Sequence, residues 1–91
     1  MKITVTYFAK PGRREEFLHR VVTAGILSAI REEDGCLRYD YYLSCQNEQE
    51  ILLLEEWESE ARQRLHMEQE HMKRLMDIKN DCIAETRVQK D

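Results

Sequence analysis

The densest group of chemically capable side chains lies between residues 55 and 72, in the segment EEWESEARQRLHMEQEHM. This segment contains the only tryptophan of the chain, Trp57, and two of its three histidines, His66 and His71. Because histidine changes charge near neutral pH, such a pair can exchange protons with a ligand or bind a metal ion. The residues alone leave a third possibility, in which both rings are solvated on a helix surface.

The spacing of the two histidines argues against a metal site. Residues five apart, such as His66 and His71, are separated by about 140° around a continuous helix. Zinc-binding histidine pairs on helices use a four-residue spacing, which places both rings on one face. The three cysteines, Cys36, Cys45 and Cys82, are widely spaced and add no ligand pattern. We therefore predict that no metal is bound.

Four strands and two helical regions are predicted around this segment. Apolar and polar residues alternate over 2–9, 37–44 and 82–88, and this pattern indicates three strands. A continuous apolar run at 51–54, followed by Trp57, indicates a fourth. Helical spacing runs from Arg13 to about Glu33, where Asp34-Gly35 ends it, and from the N-cap Ser59 to near Lys79, before a turn at Asn80-Asp81. The order β-α-β-β-α-β predicts one α+β domain over residues 1–91, a ferredoxin-like antiparallel sheet with both helices on one side.

The apolar run Ile51-Leu52-Leu53-Leu54 predicts a second copy of the chain. A strand that is apolar on both faces needs cover on both faces, and one helical layer covers only one. A homodimer with its two sheets face to face supplies the other cover. The ligand pocket of each protomer is then expected between the helices and the sheet.

Composition excludes some classes of partner. The 91 residues carry a net charge of −4, and their basic residues are interleaved with acidic ones, so we predict neither nucleic-acid nor membrane binding. The N-terminal residues are typical of a strand and not of a signal peptide. An odd number of scattered cysteines favours reduced thiols, and we expect the protein in the cytoplasm.

Several motifs together resemble a known family. They are Glu32-Glu33-Asp34-Gly35-Cys36, a tyrosine-rich second strand, Glu55-Glu56-Trp57-Glu58-Ser59, His66 nine residues after Trp57, His71 fourteen after it, and Met72-Lys73. This combination is similar to the antibiotic biosynthesis monooxygenase domain family, especially its small quinol-monooxygenase-like proteins. The resemblance extends over essentially the whole chain.

The resemblance implies a dimeric α+β barrel that oxidises phenolic or quinol-like aromatics with O₂ and needs no metal or flavin cofactor. An electron-rich phenolate can itself pass an electron to O₂, so the protein has to bind the substrate, remove a proton and exclude water. The implied roles are His66 as the first candidate base, His71 as the second, Trp57, Tyr39 and Tyr41 as pocket wall, and Glu55 near the opening. Only one face of the second strand can line the pocket, so Tyr42 is the alternative to Tyr39 and Tyr41.

Two further observations keep other interpretations open. Relatives often carry a helix-breaking proline between the two histidines, whereas Met67-Glu68-Gln69-Glu70 are all compatible with a helix here. The fold and the histidine phasing also occur in an isomerase of a phosphorylated autoinducer-2-type dione, for which Arg13-Arg14 or Lys73-Arg74 would have to bind the phosphate. A third possibility is a dimer of the same fold that binds a small ligand without catalysis.

Overall fold

The computed structural model describes all 91 residues as four strands and four helices. In chain order these are β1 (Lys2–Ala9), α1 (Arg14–Thr23), α2 (Ile26–Arg31), β2 (Cys36–Leu43), β3 (Glu50–Trp57), α3 (Glu60–Met67), α4 (Glu70–Cys82) and β4 (Ile83–Lys90). The strands form one antiparallel sheet in the order β2-β3-β1-β4. The predicted ferredoxin-like α+β fold is confirmed, but each predicted helical region is divided into two helices. None of the helices combines the length and the apolar character needed to cross a membrane.

One face of the sheet carries the core, and the strand register arranges its residues in rows. One row runs from Tyr39 through Glu55 and Ile3 to Lys90, and the next from Tyr41 through Leu53 and Val5 to Val88. Helix residues with almost no exposed surface pack against this face, namely Phe17, Val21, Ile26, Ile30 and Leu75. On the opposite face, Leu52 and Leu54 keep part of their surface exposed. The partner subunit expected to cover that face remains a prediction.

The first helical region is divided at Gly25. A single helix from Arg13 to about Glu33 was expected, but Gly25 adopts a positive φ of 76° and separates α1 from α2. Glycine reaches this left-handed conformation without the steric cost that other residues incur. The bend directs α2 onto β2, so that Ile26 and Ile30 are both buried.

The last helix continues through the predicted turn at Asn80-Asp81. Helix α4 ends at Cys82, and β4 begins at the next residue, so the turn prediction was wrong. The carbonyl groups of this helix end accept hydrogen bonds from the loop after β1. Lys10 Nζ donates to the Asn80 oxygen at 2.9 Å, and Arg13 Nη1 donates to the Asp81 oxygen at 2.6 Å. Basic side chains that donate to the last carbonyl groups of a helix stabilise its C-terminal end, and these contacts accompany the continuation of α4 to Cys82.

Candidate active site

The second helical region is broken between the two histidines, although no proline is present. Ser59 caps α3 as predicted, and its hydroxyl accepts a hydrogen bond from the Arg62 backbone N–H at 3.2 Å. Helix α3 then ends at Met67, and Gln69 has extended backbone angles of −69° and 148° before α4 begins. The expectation of one continuous helix from Ser59 to near Lys79 was therefore wrong.

Local hydrogen bonds stabilise the break. The Leu65 carbonyl accepts from the Glu68 backbone N–H at 3.1 Å and from the Gln69 side-chain amide at 3.0 Å. The Gln69 carbonyl in turn accepts from the Met72 backbone N–H at 3.0 Å. Part of the hydrogen bonding lost by interrupting the helix is recovered at these groups.

Both histidines contact one carboxylate oxygen as a result of the break. Glu33 Oε2 lies 2.9 Å from His66 Nδ1 and 2.7 Å from His71 Nε2. The His66 side chain is only 1% exposed, whereas Glu33 and His71 are 11% and 13% exposed and lie nearer the solvent. On a straight helix, the angular separation of the histidines would have prevented this shared contact.

The shared acceptor determines which histidine nitrogens carry protons. An ionised carboxylate can only accept hydrogen bonds, so with Glu33 in this form His66 Nδ1 and His71 Nε2 both donate to it. In neutral His66 the lone pair then lies on Nε2. A ring nitrogen with a free lone pair, held in place through its other nitrogen, is the arrangement required of a general base.

Trp57 lies behind His66 and not at the cavity surface. Its indole has no exposed surface, and its ring centroid is 4.4 Å from that of His66 with an interplanar angle of 34°. Its Nε1–H donates a hydrogen bond to Glu55 Oε1 at 3.0 Å. Trp57 was predicted as pocket wall, but it is not among the residues that line the cavity. It instead fixes the positions of His66 and Glu55, which do line the cavity.

A cavity of about 500 Å³ lies between the sheet and helices α3 and α4. His66, Glu55 and Tyr39 line its buried part, together with Leu75 and Tyr7. The half-exposed side chains of Met67, Met76 and Val88 also line it, on the side that faces solvent. Nine of its 17 lining residues are hydrophobic, and its volume is in the range of small-molecule sites, so the cavity suits an aromatic ring.

The tyrosines of β2 occupy three different environments. Tyr39 lines the cavity, and its ring centroid lies 5.7 Å from that of His66. Tyr41 packs edge-on against Phe17 at 6.1 Å and against Tyr39 at 5.8 Å, and it does not line the cavity. Tyr42 is 43% exposed and its hydroxyl accepts a hydrogen bond from Arg38 at 2.8 Å. Of the three candidates from sequence, only Tyr39 therefore reaches the cavity.

Burial controls the protonation of the other polar groups in the cavity. It raises the pKa of Tyr7 and Tyr39, so both phenols are neutral hydrogen-bond donors near neutral pH. Burial also raises the pKa of Glu55, although its hydrogen bond from Trp57 and the nearby His66 act in the opposite direction. Glu55 was expected near the opening, but it is only 8% exposed.

The comparisons with known proteins agree with this architecture. Residues 1–77 match the sequence profile of the family described as antibiotic biosynthesis monooxygenase. The chain belongs to this family. Over 62 residues it is 34% identical to "Putative monooxygenase YcnE" of Bacillus subtilis (strain 168), a match that covers 68% of this chain and 63% of that relative.

Several solved structures share the fold. The structure of PA3566 from Pseudomonas aeruginosa is 25% identical, with a TM-score of 0.84 over 97% of this chain and 87% of that one. A structure titled antibiotic biosynthesis monooxygenase is also 25% identical, with a TM-score of 0.84 over 99% and 95% of the two chains. A Nitrosomonas europaea protein superposes with a TM-score of 0.87 at 20% identity over 97% and 84%, which supports the fold alone.

Only on a continuous helix would the five-residue spacing keep the two histidines from binding one metal ion. In this member of the monooxygenase family the helix is broken, and the ligand atoms of Glu33, His66 and His71 all lie within 4.8 Å of one another. These three residues could therefore hold a metal ion, and the absence of a metal stays a prediction. The short contacts of Glu33 with both rings are those of charge-assisted hydrogen bonds.

Two basic pairs had been considered as phosphate sites. Arg13 donates to the Glu16 carboxylate at 3.0 and 2.6 Å, and Arg14 donates to the carbonyl oxygen of Ser44 at 2.9 Å. Neither arginine lines the cavity, whereas Lys73 does. Sequence reasoning also gave no role to Glu33 or Lys79. Glu33 lies within the Glu32–Cys36 motif, which was the available signal for it.

Proposed function

We propose that the protein is a cofactor-independent monooxygenase that oxidises small phenolic or quinol-like aromatics with O₂. The observation that carries the proposal is the buried ring of His66, which lines an aromatic-sized cavity while its Nδ1 is held by Glu33. Membership of the antibiotic biosynthesis monooxygenase family supports the same reaction class. The fold alone would not support a particular reaction class, because one fold hosts many functions.

In this reaction the substrate hydroxyl gives its proton to His66 Nε2. The resulting phenolate transfers one electron to O₂, and the phenoxyl and superoxide radicals combine at a ring carbon that carries hydrogen. The peroxide anion formed in this way takes the proton back from His66 and becomes a hydroperoxide. Loss of water from the hydroperoxide leaves a carbonyl group. One oxygen atom of O₂ enters the product and the other leaves as water. The apolar walls of the cavity favour the reaction, because they limit the access of water to the intermediates.

Oxygen consumption tests the proposal directly. Purified protein is assayed with a panel of hydroquinones and anthrones, alongside His66→Ala and the control His19→Ala, which removes an exposed histidine of α1. Loss of the base is expected to lower the rate by about 10²–10⁴-fold, whereas the control retains it. No O₂ uptake with any substrate would refute the monooxygenase proposal, and full activity in His66→Ala would refute the role of His66.

The same preparations distinguish the remaining alternatives. Elemental analysis that finds one tightly bound metal per chain would contradict cofactor independence and favour a metal at Glu33, His66 and His71. Tight binding of a quinone without turnover would favour the non-catalytic ligand-binding dimer. The isomerase alternative predicts turnover of a phosphorylated dione. It receives no support from Arg13, which is paired with Glu16 outside the cavity.

We also propose that two copies associate through the sheet face opposite the helices. Leu52 and Leu54 lie on that face and remain partly exposed, and Tyr42 on the neighbouring strand is 43% exposed. Leu54→Asp is expected to convert a dimer to a monomer in light scattering, because it would bury a charge in the interface. The matched change Val22→Asp, at an exposed position of α1, leaves the assembly unchanged. A monomeric wild-type protein would refute this interface.

The cysteines support a reducing compartment. Cys36, Cys45 and Cys82 are all free thiols, and Cys82 is buried. Free thiols persist in the cytoplasm, where disulfides are rare. We therefore propose a cytoplasmic location, which fractionation of the source cells would test.

A further inference from the structure

Lys79 is a half-buried cation that lines the cavity and has no counter-ion. Its Nζ atom lies 5.0 Å from the ring centroid of Tyr7, a cation–π distance, and this ring is the one partner that the structure gives it. No carboxylate oxygen lies within 4.0 Å of that nitrogen. Burial lowers the pKa of Lys79, and the charge of Glu55, too distant for an ion pair, acts in the opposite direction.

A second lysine of the same helix shows the contrast. Lys73 also lines the cavity, but its side chain is 74% exposed and pairs with Glu70 at 3.4 Å. A solvated lysine of this kind needs no ligand. A partly desolvated ammonium such as that of Lys79 is costly unless an anion compensates its charge.

The charges around the cavity leave Lys79 available to an anionic ligand. Apart from Lys73, which pairs with Glu70, two lysines line the cavity, Lys79 and Lys90, and neither lining carboxylate, Glu55 or Asp77, lies within 4.0 Å of the Lys79 nitrogen. The rings of Tyr7 and Tyr39 lie in the same cavity and offer faces or edges to an aromatic ring.

From this arrangement we infer that the ligand is an aromatic carboxylate, with its carboxylate paired to Lys79 and its ring within reach of His66. Lys79 is then a specificity-determining residue. The inference rests on the proposed function, because it uses the same cavity and names the charge of the compound bound there. Neutral quinols would bind more weakly, because they leave the lysine without a counter-ion.

Two compounds that share a ring and two hydroxyl groups test the inference. Gentisate is hydroquinone with a ring carboxylate, and both are titrated calorimetrically into the protein under anaerobic conditions. Wild-type protein is expected to bind gentisate at least about tenfold more tightly, the preference that a charged hydrogen bond provides. Lys79→Met loses the preference, Lys79→Arg keeps most of it, and the control Lys73→Met keeps all of it.

Three results would each overturn the inference. They are equal affinity for the two compounds in wild-type protein, no detectable binding of gentisate, and an unchanged preference in Lys79→Met. If thermal unfolding shows that Lys79→Met does not fold, Lys79→Gln replaces it, since its amide keeps a polar group without the charge.

Failure of the inference and failure of the proposed function are separable, because binding is measured without O₂. Selective gentisate binding with no O₂ uptake from any substrate would support the role of Lys79 and refute the proposed monooxygenase activity. Rapid O₂ uptake from hydroquinone, together with equal affinity for gentisate and hydroquinone in wild-type protein, would support the monooxygenase and refute the assignment of Lys79.

Discussion

Glu33 is expected to hold His66 in its reactive orientation, and its removal should reduce both stability and activity. In Glu33→Ala, the buried His66 Nδ1–H loses its acceptor at 2.9 Å, and His71 loses its acceptor at 2.7 Å. An unsatisfied buried donor costs about 1–3 kcal/mol of unfolding free energy, which for a domain of this size lowers Tm by roughly 4–24 °C. Thermal unfolding of the purified variant measures this loss.

The expected effect on activity is bounded by that of the base itself. Removal of a general base costs about 10²–10⁴-fold in rate, and a base left in place but free to rotate should lose part of that factor. Glu33→Gln keeps an oxygen acceptor without its charge. Because charge-assisted hydrogen bonds are roughly twice as strong as neutral ones, this variant should fall between wild type and Glu33→Ala in both assays.

A double variant separates positioning from a general structural role. If Glu33 acts through His66, adding Glu33→Ala to His66→Ala should reduce kcat no further than His66→Ala alone. A further loss equal to that of the single Glu33→Ala variant would refute the reasoning. Wild-type activity in a folded Glu33→Ala variant would refute it as well.

Two other predictions concern stability. Gly35 has φ of +89° and a Cβ there would lie 2.5 Å from Arg62 Cγ, whereas Gly12, at φ of +76°, faces open space. Chemical denaturation should therefore show that Gly12→Ala lowers the free energy of unfolding by about 1–2 kcal/mol and that Gly35→Ala lowers it further. Equal losses in the two variants would contradict a clash with Arg62. Burial raises the pKa of Glu55 above its usual 4.5, so the folded protein holds this proton more tightly than the unfolded chain does. The free energy of unfolding should therefore fall as the pH rises from about 4.5 through that raised pKa. Glu55→Gln, which keeps an acceptor for Trp57, should be more stable than wild type at pH 7, by a margin that disappears near pH 4; a margin independent of pH would contradict this assignment.

The strands were predictable because their signals are local. Alternation over residues 2–9 reproduces β1 without error, and the apolar run at 51–54 correctly indicated a strand with apolar residues on both faces. Ser59 was identifiable as an N-cap because its hydroxyl bonds to a backbone group three residues away. Helix boundaries were less predictable, since Gly25 and Gln69 interrupt segments with uniform helical spacing.

The candidate site was predictable in its residue types and not in its contacts. His66 and Tyr39 line the cavity, and Glu55 lines its buried part instead of its opening, but Trp57 lies behind it and Tyr41 packs against the edge of the core. The face of β2 that reaches the cavity is fixed by register, which pairs Tyr39 with Glu55. Register depends on the partner strand and on the helices that cover the sheet, so the alternation of β2 alone could not choose between Tyr39, Tyr41 and Tyr42.

By itself, the sequence determined the order of the strands and helical regions, the family, and the presence of Trp57 at the end of β3 with two histidines in the helical region after it. Only the tertiary structure decided that both histidines meet one oxygen of Glu33. The residues between them favour a helix locally. The local preference is weak, roughly a few tenths of a kcal/mol per residue, and two hydrogen bonds to the partly buried carboxylate of Glu33, from a distant part of the chain, exceed it.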